Sequence, residues 1–341
     1  MNITGIINNA KDGPGYHRVA MPLLLMPDTD VYITNQVTEE RASITDVMVV
    51  NRVFPGNKIA DILAWRERYG FKLVVDIDDY WHLPETHPAK PSWDRHDIKN
   101  RIIHMITEAD CVTTTHARLA YHCQQHNKNV TVIPNAIPYE GQFTVQNTPS
   151  DKVRIFWQGS PTHIEDVALL RSTLHKLYKR PQTKDLCKQV LAGYEESVEW
   201  EKIADIYTGT GRYPHEVYGG VNTDQYYHSY QYADICLVPL IQSTFNSCKS
   251  NLKVLEAANA KLPCVVSEVN TYLGLPVLYA QNNHDWYYHL KELILSKEYR
   301  EVKGQQLHDY CNQHFNFQII NQNRKELYEQ ITSHRRSDKV N

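Results

Sequence analysis

Short runs of alternating or continuous apolar residues recur along the first 140 positions. The segments Asn2 to Asn8, Asp30 to Ile33, Asp46 to Asn51, Lys72 to Asp76, Cys111 to Thr114 and Val130 to Ile133 have the length and β-rich composition of strands. Helix-like stretches separate several of them. Ile59 to Tyr69 places Ile59, Ile62, Leu63 and Trp65 on one face, and Ile98 to Ala109 does the same with Ile98, Ile102, Met105 and Ile106. Strand and helix in alternation predict a parallel, doubly wound sheet.

The pattern lapses in a polar stretch, Tyr139 to Lys152, and then resumes. Val153 to Trp157, Gln189 to Ala192, Ile203 to Tyr207, Ile235 to Pro239, Cys264 to Ser267 and Val277 to Ala280 are read as strands. Helices are expected at Glu165 to Tyr178, Leu252 to Ala260 and Trp286 to Ser296, with a last helix from His314 to about Ser333. The expected organisation is an N-terminal α/β domain over 1–140, a linker over 141–152, a second α/β domain over 153–313, and a helix and tail over 314–341 that cross back to the first domain. A chain of 341 residues exceeds what one hydrophobic core supports, which agrees with two domains and a cleft between them.

Composition narrows the classes. With 42% hydrophobic and 22% charged residues the chain is of the ordinary globular kind. No apolar run approaches the roughly 20 residues of a membrane-spanning helix, and Met1 to Ala10 lacks the basic start and small-residue cleavage pattern of a signal peptide. The expected location is the cytoplasm. Seven scattered cysteines without a C-x-x-C pair argue against a disulfide framework or a zinc site. The net charge of −3 gives no overall attraction to a polyanion, although Lys90, Arg95, Lys99 and Arg101 can form a local basic patch.

Ligands of open α/β sheets bind beyond the carboxyl ends of the strands, so residues just after strands carry the chemistry. Gly13-Pro14-Gly15-Tyr16-His17-Arg18 follows the first strand; Gly15 permits close backbone approach and Arg18 suits an anion, although a tight turn with a surface arginine explains the same residues. Asp76-Ile77-Asp78-Asp79-Tyr80-Trp81 follows the fourth. Asp78 or Asp79 is the candidate that holds an acceptor hydroxyl or takes its proton; the inert reading is a helix cap with solvated acids. Metal binding by these aspartates is the less favoured reading, no metal ligand is assigned, and a divalent cation is left open as a cofactor. His116, at the end of the fifth strand, is the histidine singled out for catalysis, whereas His82, His87 and His163 are read as ordinary hydrogen-bonded side chains.

The densest motif is Phe245-Asn246-Ser247-Cys248-Lys249-Ser250-Asn251-Leu252-Lys253-Val254-Leu255-Glu256, followed by Leu262-Pro263-Cys264-Val265-Val266-Ser267. A polar loop opens a helix there, so the amides near Ser250, Asn251 and Leu252 can hold a diphosphate, reinforced by Lys249 and Lys253. Glu256, one turn on, can accept two ribose hydroxyls. Ordinary helix-surface charges are the alternative.

This run resembles the donor-binding segment of GT-B glycosyltransferases, especially bacterial and phage members of the retaining type. The GPGYHR, VVDIDDYW, VIPNAI and WQGSPTHIEDV segments follow in the order such enzymes show. The resemblance implies two Rossmann-like doubly wound domains facing across a cleft and a nucleotide-diphosphate sugar, UDP-linked, as donor. It places Lys253 and the 250–252 amides on the diphosphate, Glu256 on the ribose, Gly159 and Ser160 near the phosphates, and Tyr218 beside the base. It also implies an acceptor hydroxyl, with hydroxymethylated pyrimidine in phage double-stranded DNA as the favoured acceptor. Surface-polysaccharide or lipid-linked glycan synthesis is the competing enzyme reading, and a non-catalytic nucleotide-sugar binding module the competing class. Two positions depart from the family pattern: Cys248 stands where many retaining relatives carry a second glutamate, and Lys261 where a glycine is usual. A dinucleotide-dependent dehydrogenase is disfavoured because the first loop lacks G-x-G-x-x-G. Sugar, stereochemistry and oligomeric state are not readable from the chain.

Overall fold

The computed structural model describes residues 1–337; the last four positions of the expected tail lie outside the described residues. The chain forms two compact units. The first contains Met1–Ala136, the short segment Cys248–Ser250 and the residues from Phe317 on; the second contains Ile137–Ser247 and Asn251–Asn316.

The first unit holds strands β1 (Asn2–Ile6), β2 (Asp30–Thr34), β3 (Val47–Asn51), β4 (Lys72–Ile77), β5 (Cys111–Thr114) and β6 (Val130–Val132). They form one parallel sheet in the order β2-β1-β3-β4-β5-β6. Two-residue periodicity divides its apolar side chains between two faces. Met48, Val50, Leu73, Val75 and Ile77 pack with Ile62 of the Ile59–Tyr69 helix and with Ile102, Met105 and Ile106 of the Ile98–Glu108 helix. Val47, Val49 and Val74 point the other way, against Val19, Leu23 and Tyr328, the last from the Phe317–Ser337 helix. Register aligns Asn51 with Asp76 and Asp76 with Thr113, so these polar residues share one row across three strands at the carboxyl edge.

The second unit repeats the plan with β7 (Val153–Gln158), β8 (Cys187–Tyr194), β9 (His215–Gly219), β10 (Ile235–Val238), β11 (Cys264–Ser267) and β12 (Leu278–Ala280). Their order is β12-β11-β10-β7-β8-β9, all neighbours parallel. The chain runs outward from β7 through β8 to β9, then returns to lay β10 on the other side of β7. Between β7 and β10 the connections leave in opposite directions, the arrangement at which open α/β sheets bind ligands beyond the carboxyl ends of their strands. The polar segment after residue 138 makes only a short turn, Gly141–Phe143, and is docked within this unit: Phe143 is buried and its carbonyl accepts a 2.6 Å bond from Asn259 Nδ2.

Several expectations are corrected. Ile203 to Tyr207 is not a strand but part of a helix, Val198–Thr208. Ser197 accepts from the Trp200 amide at its start, Glu199 and Glu201 sit in its first turn, and Gly209 ends it at φ 63°. Glu165 to Tyr178 is two helices, Ile164–Ala168 and Arg171–Lys179. The edge strand β9 was not expected from the sequence. The expected last helix is present as Phe317–Ser337, starting three residues after His314, and it is preceded by a further helix, Lys297–His314, that the apolar pattern does not show. The Gly13 to Arg18 stretch is helical from Gly13 rather than an open loop.

The departure at Lys261 has a physical cost. This residue ends the Leu252–Asn259 helix in the left-handed region, at φ 54°, where the Leu262 amide returns to the Ala257 carbonyl at 2.9 Å. The Lys297–His314 helix passes so close that a Cβ on its Gly304 would overlap the Lys261 carbonyl oxygen. Lys261→Gly relieves the side-chain strain without touching this contact, and is expected to stabilise the protein by roughly 0.5–1 kcal/mol in denaturant melts.

Candidate functional site

In the first unit the carboxyl edge of the sheet is a chain of ion pairs. Arg18 is buried, with Nε 3.0 and 3.2 Å from the two Asp76 oxygens, one terminal nitrogen 2.8 Å from Asp76 Oδ2 and the other 2.9 Å from Asn135. Thr113 donates to the same carboxylate at 2.7 Å. Arg18 is therefore spent inside the unit rather than offered to a ligand. Gly15 also has an internal reason: a Cβ there would collide with the Asp12 carboxylate that accepts from the Gly15 amide.

Asp78 receives two 2.8 Å bonds from Arg52 and one of 3.0 Å from Asn51. Burial alone would raise its pKa, but Arg52 and Asn51 outweigh burial and hold it below the usual carboxylate range, which makes it a weak base. Asp79 is shared between Arg52 at 3.2 Å and Lys249 at 3.0 Å. The acid cluster of the sequence is thus neutralised by two cations from distant positions. Among the described residues no group of three or more His, Cys, Asp or Glu is placed to hold a metal ion.

His116 caps the Ala117–Cys123 helix. Its Nδ1 accepts from the Leu119 amide at 3.4 Å, so Nε2 carries the hydrogen and donates to the Cys248 carbonyl at 3.1 Å. Burial depresses its pKa, against smaller opposing effects from the backbone at Cys248 and Lys249, so the ring is neutral at pH 7. In this geometry His116 anchors the segment that carries Lys249.

The second unit holds most of the other candidates, and Gly159, Ser160 and Lys253 lie at the carboxyl edge around β7. Lys253 Nζ lies 5.3 Å from the Trp157 ring centroid. A Cβ on Gly159 would come 2.7 Å from the same ring and 3.1 Å from Lys253 Nζ, so only glycine lets the chain turn past this amine. Ser160 Oγ is 2.6 Å from Thr162 Oγ1. The Leu252–Asn259 helix starts without a side-chain cap from Asn251, which leaves that helix end suited to an anion alongside Lys253. Glu256 is buried one turn on, and Tyr230 donates to its Oε2 at 2.8 Å. Burial pushes this carboxyl up to about 7, against the lowering effects of the Tyr230 bond and the Lys253 charge. Tyr218 stacks on Tyr232 at 4.1 Å and 8° and donates to Glu216 at 2.9 Å.

Lys253, Glu256, Gly159 and Ser160 are thus gathered in the second unit, while Asp78, Asp79, His116 and Lys249 are tied together in the first. Tyr218 sits on the outer strand β9. Sequence reasoning missed Arg52, Tyr230 and Asp166, since their roles depend on partners 26 or more positions away.

No protein-family model matches this chain, and no curated protein matches it in sequence. Solved structures do. A sucrose-phosphate synthase from Thermosynechococcus elongatus superposes with a TM-score of 0.63 at 14% identity, over 85% of this chain and 74% of that one. An alpha-glucosyltransferase in complex with UDP and a 13-mer DNA containing an HMU base gives 0.61 at 8% identity, over 96% of this chain and 99% of that one. A mutant TarM from S. aureus, in complex with fondaparinux, alpha-GlcNAc-glycerol and UDP, gives 0.60 at 11% identity, over 83% of this chain but 55% of its own. Two parallel six-stranded sheets with flanking helices, shared with these glycosyltransferases, define the class: the chain has the GT-B fold. Identities this low speak for the fold alone.

Proposed function

We propose that this protein is a glycosyltransferase that takes a UDP-sugar at its second unit and passes the sugar to a hydroxyl, with hydroxymethylated pyrimidine in double-stranded DNA as the acceptor. The observation that carries the donor reading is the grouping of Lys253, Gly159, the uncapped helix start and the buried Glu256 beside β7. A diphosphate needs cations and free amides where the chain can approach closely, and a ribose needs a fixed carboxylate one turn away. Lys253 and the amides at 251 and 252 would take the diphosphate, Gly159 and Ser160 its approach, Glu256 the ribose and Tyr218 the base edge. Arg18 and Gly15 then act only through the shape of the first unit.

Sugar transfer breaks the bond between the anomeric carbon and a phosphate oxygen, and the acceptor proton must go somewhere. Asp78, held ionised by Arg52, is a poor place for it. The departing phosphate is the better base, which is the retaining course; Asp79 would orient the acceptor hydroxyl and His116 the loop bearing Lys249. Support for the DNA acceptor is the neighbour of nearly equal length whose bound ligands are UDP and DNA. The complex of TarM with alpha-GlcNAc-glycerol supports the competing reading of a glycan acceptor.

Purified protein incubated with a panel of UDP-sugars, with and without hydroxymethylated DNA, tests this. UDP release with a mass gain on the DNA is the expected result, and salt-sensitive DNA binding should accompany it. Release without a mass gain moves the acceptor to a glycan. Nucleotide binding with no release in any pairing would leave a binding module and sink the enzyme reading.

A further inference from the structure

Of the cations that the sequence groups as a basic patch, Lys90 is taken out of use: it pairs with Glu85 at 3.4 Å and with Asp94 one turn on. Lys99, at the start of the Ile98–Glu108 helix, instead acts on a group of histidines assembled from separate parts of the first unit. Tyr80 and Trp81 follow β4, and their rings carry the group. His82 stacks on Tyr80 at 4.9 Å and 20°. His122, from the Ala117–Cys123 helix, lies against the same ring at 4.5 Å, and His126, on the turn after that helix, meets Trp81 edge-on at 5.9 Å. Trp93 of the Lys90–Arg95 helix donates to the Trp81 carbonyl at 3.1 Å and fixes this platform.

Charge sets this place apart on a chain whose net charge is −3. His82, Lys99 and His126 are exposed and His122 is half-buried. Burial lowers the pKa of His82, and Lys99, His122 and His126 lower it further; burial and then Arg118 lower that of His122. The charged groups that act on these two rings are thus all of one sign. The carboxylates of the neighbouring stretch are engaged elsewhere, Glu85 and Asp94 with Lys90, and Asp97 with Asn100 Nδ2 at 2.8 Å. A metal does not account for the grouping, since these histidines form no set placed to hold one among the described residues. Groups of like charge held together repel, and an anion set among them removes the repulsion. Stacked rings also have little freedom left to lose when it arrives.

We propose that His82, Lys99, His122 and His126 form the surface on which the first unit takes the phosphodiester backbone of a DNA acceptor. This rests on the DNA reading above and deepens it. Asp79, which orients the acceptor hydroxyl in that reading, immediately precedes Tyr80, so the strand beside the reacting base is held by residues continuous in the chain with the one that holds the hydroxyl. Lys99 supplies a permanent charge. The imidazoles supply N–H donors and, beside a phosphate, take up the protons that their cationic neighbours otherwise exclude. The sign of the pH dependence follows. A phosphate raises the imidazole pKa in the complex above its value in the free protein, so the gain in affinity is complete below the free value and is lost as pH rises through the bound one.

A labelled duplex of about 20 base pairs carrying hydroxymethylcytosine, followed by fluorescence anisotropy at pH 6 and pH 8 over a range of salt and without nucleotide, tests this. The wild type is expected to bind about tenfold more tightly at pH 6 than at pH 8. A chain carrying both His82→Gln and His126→Gln, two exposed positions, should lose most of that difference. Lys99→Gln should weaken binding about equally at both pH values and lower the salt slope by about 1. In the transfer assay both variants should raise KM for the duplex about fivefold or more with little change in kcat, a split that a merely structural role would not produce. Urea melts that match the wild type show the variants folded. Variants that bind the duplex as the wild type does at both pH values, while DNA still gains sugar, overturn the inference and leave the DNA reading standing. A wild type that glycosylates a glycan and neither binds nor modifies the duplex overturns the DNA reading, and this inference with it.

Discussion

Glutamine at position 256 is expected to weaken nucleotide binding by about ten- to a hundredfold, the loss of charge-assisted bonds to two hydroxyls, and at the same time to make the protein more stable at pH 8. Glu256 has 1% of its surface exposed, and burial lifts its carboxyl from an ordinary 4.5 to about 7. A carboxyl raised in the folded state contributes stability that is complete below 4.5 and is lost as pH climbs through 7, because above that the native protein must hold a buried anion. Glutamine can still accept from Tyr230 and carries no charge. The gain at pH 8 should be roughly 1–3 kcal/mol in denaturant melts, and near zero at pH 4. The same sign governs binding: wild-type affinity for the nucleotide should rise with pH between 6 and 8, and that of the variant should not. A variant that binds as tightly as the wild type would remove Glu256 from the donor site.

The second large effect is expected at Arg18. With both side chains about 2% exposed, the Arg18–Asp76 pair is hydrogen-bonded by Asn135, Thr113 and Asn51 besides its own members. Arg18→Met leaves the aspartate buried without its cation, and should cost about 3–5 kcal/mol. Adding Asp76→Asn in the same chain should return a large part of that loss, since the uncompensated charge is gone. Urea melts of the two single variants and the double variant measure the coupling. If the single Arg18 variant melts within about 1 kcal/mol of the wild type, the pair does not hold the first unit together.

The parallel sheets were legible because their central strands are buried on both faces and read as apolar runs, as in Leu73-Val74-Val75 and Ile235-Cys236-Leu237-Val238. Ile203 to Tyr207 misled because β-branched and aromatic residues suit a strand, and the signals that overrule them, Ser197 and Gly209, lie outside the run. Strand β9 escaped notice since an edge strand alternates weakly: in His215–Gly219 no residue is fully buried. At the candidate site the residue types were legible and their partners were not. Three clustered aspartates suggest repulsion or a metal, and no local pattern says that Arg52 and Lys249 arrive from 26 and 170 positions away to neutralise them. Likewise Arg18 reads as an anion ligand until the register shows it facing Asp76.

The seven cysteines are all free and all buried, and for Cys111, Cys123, Cys187 and Cys311 burial lifts the thiol to about 11 or 12. Cys111, Cys123 and Cys248 belong to the first unit and Cys187, Cys236, Cys264 and Cys311 to the second. The native chain is therefore expected to resist alkylating reagents and to carry its own reporters of opening. Pulsed thiol labelling read by mass spectrometry would show, without any engineered probe, which half of the molecule breathes first and whether a bound nucleotide quiets one set of sulfurs and not the other.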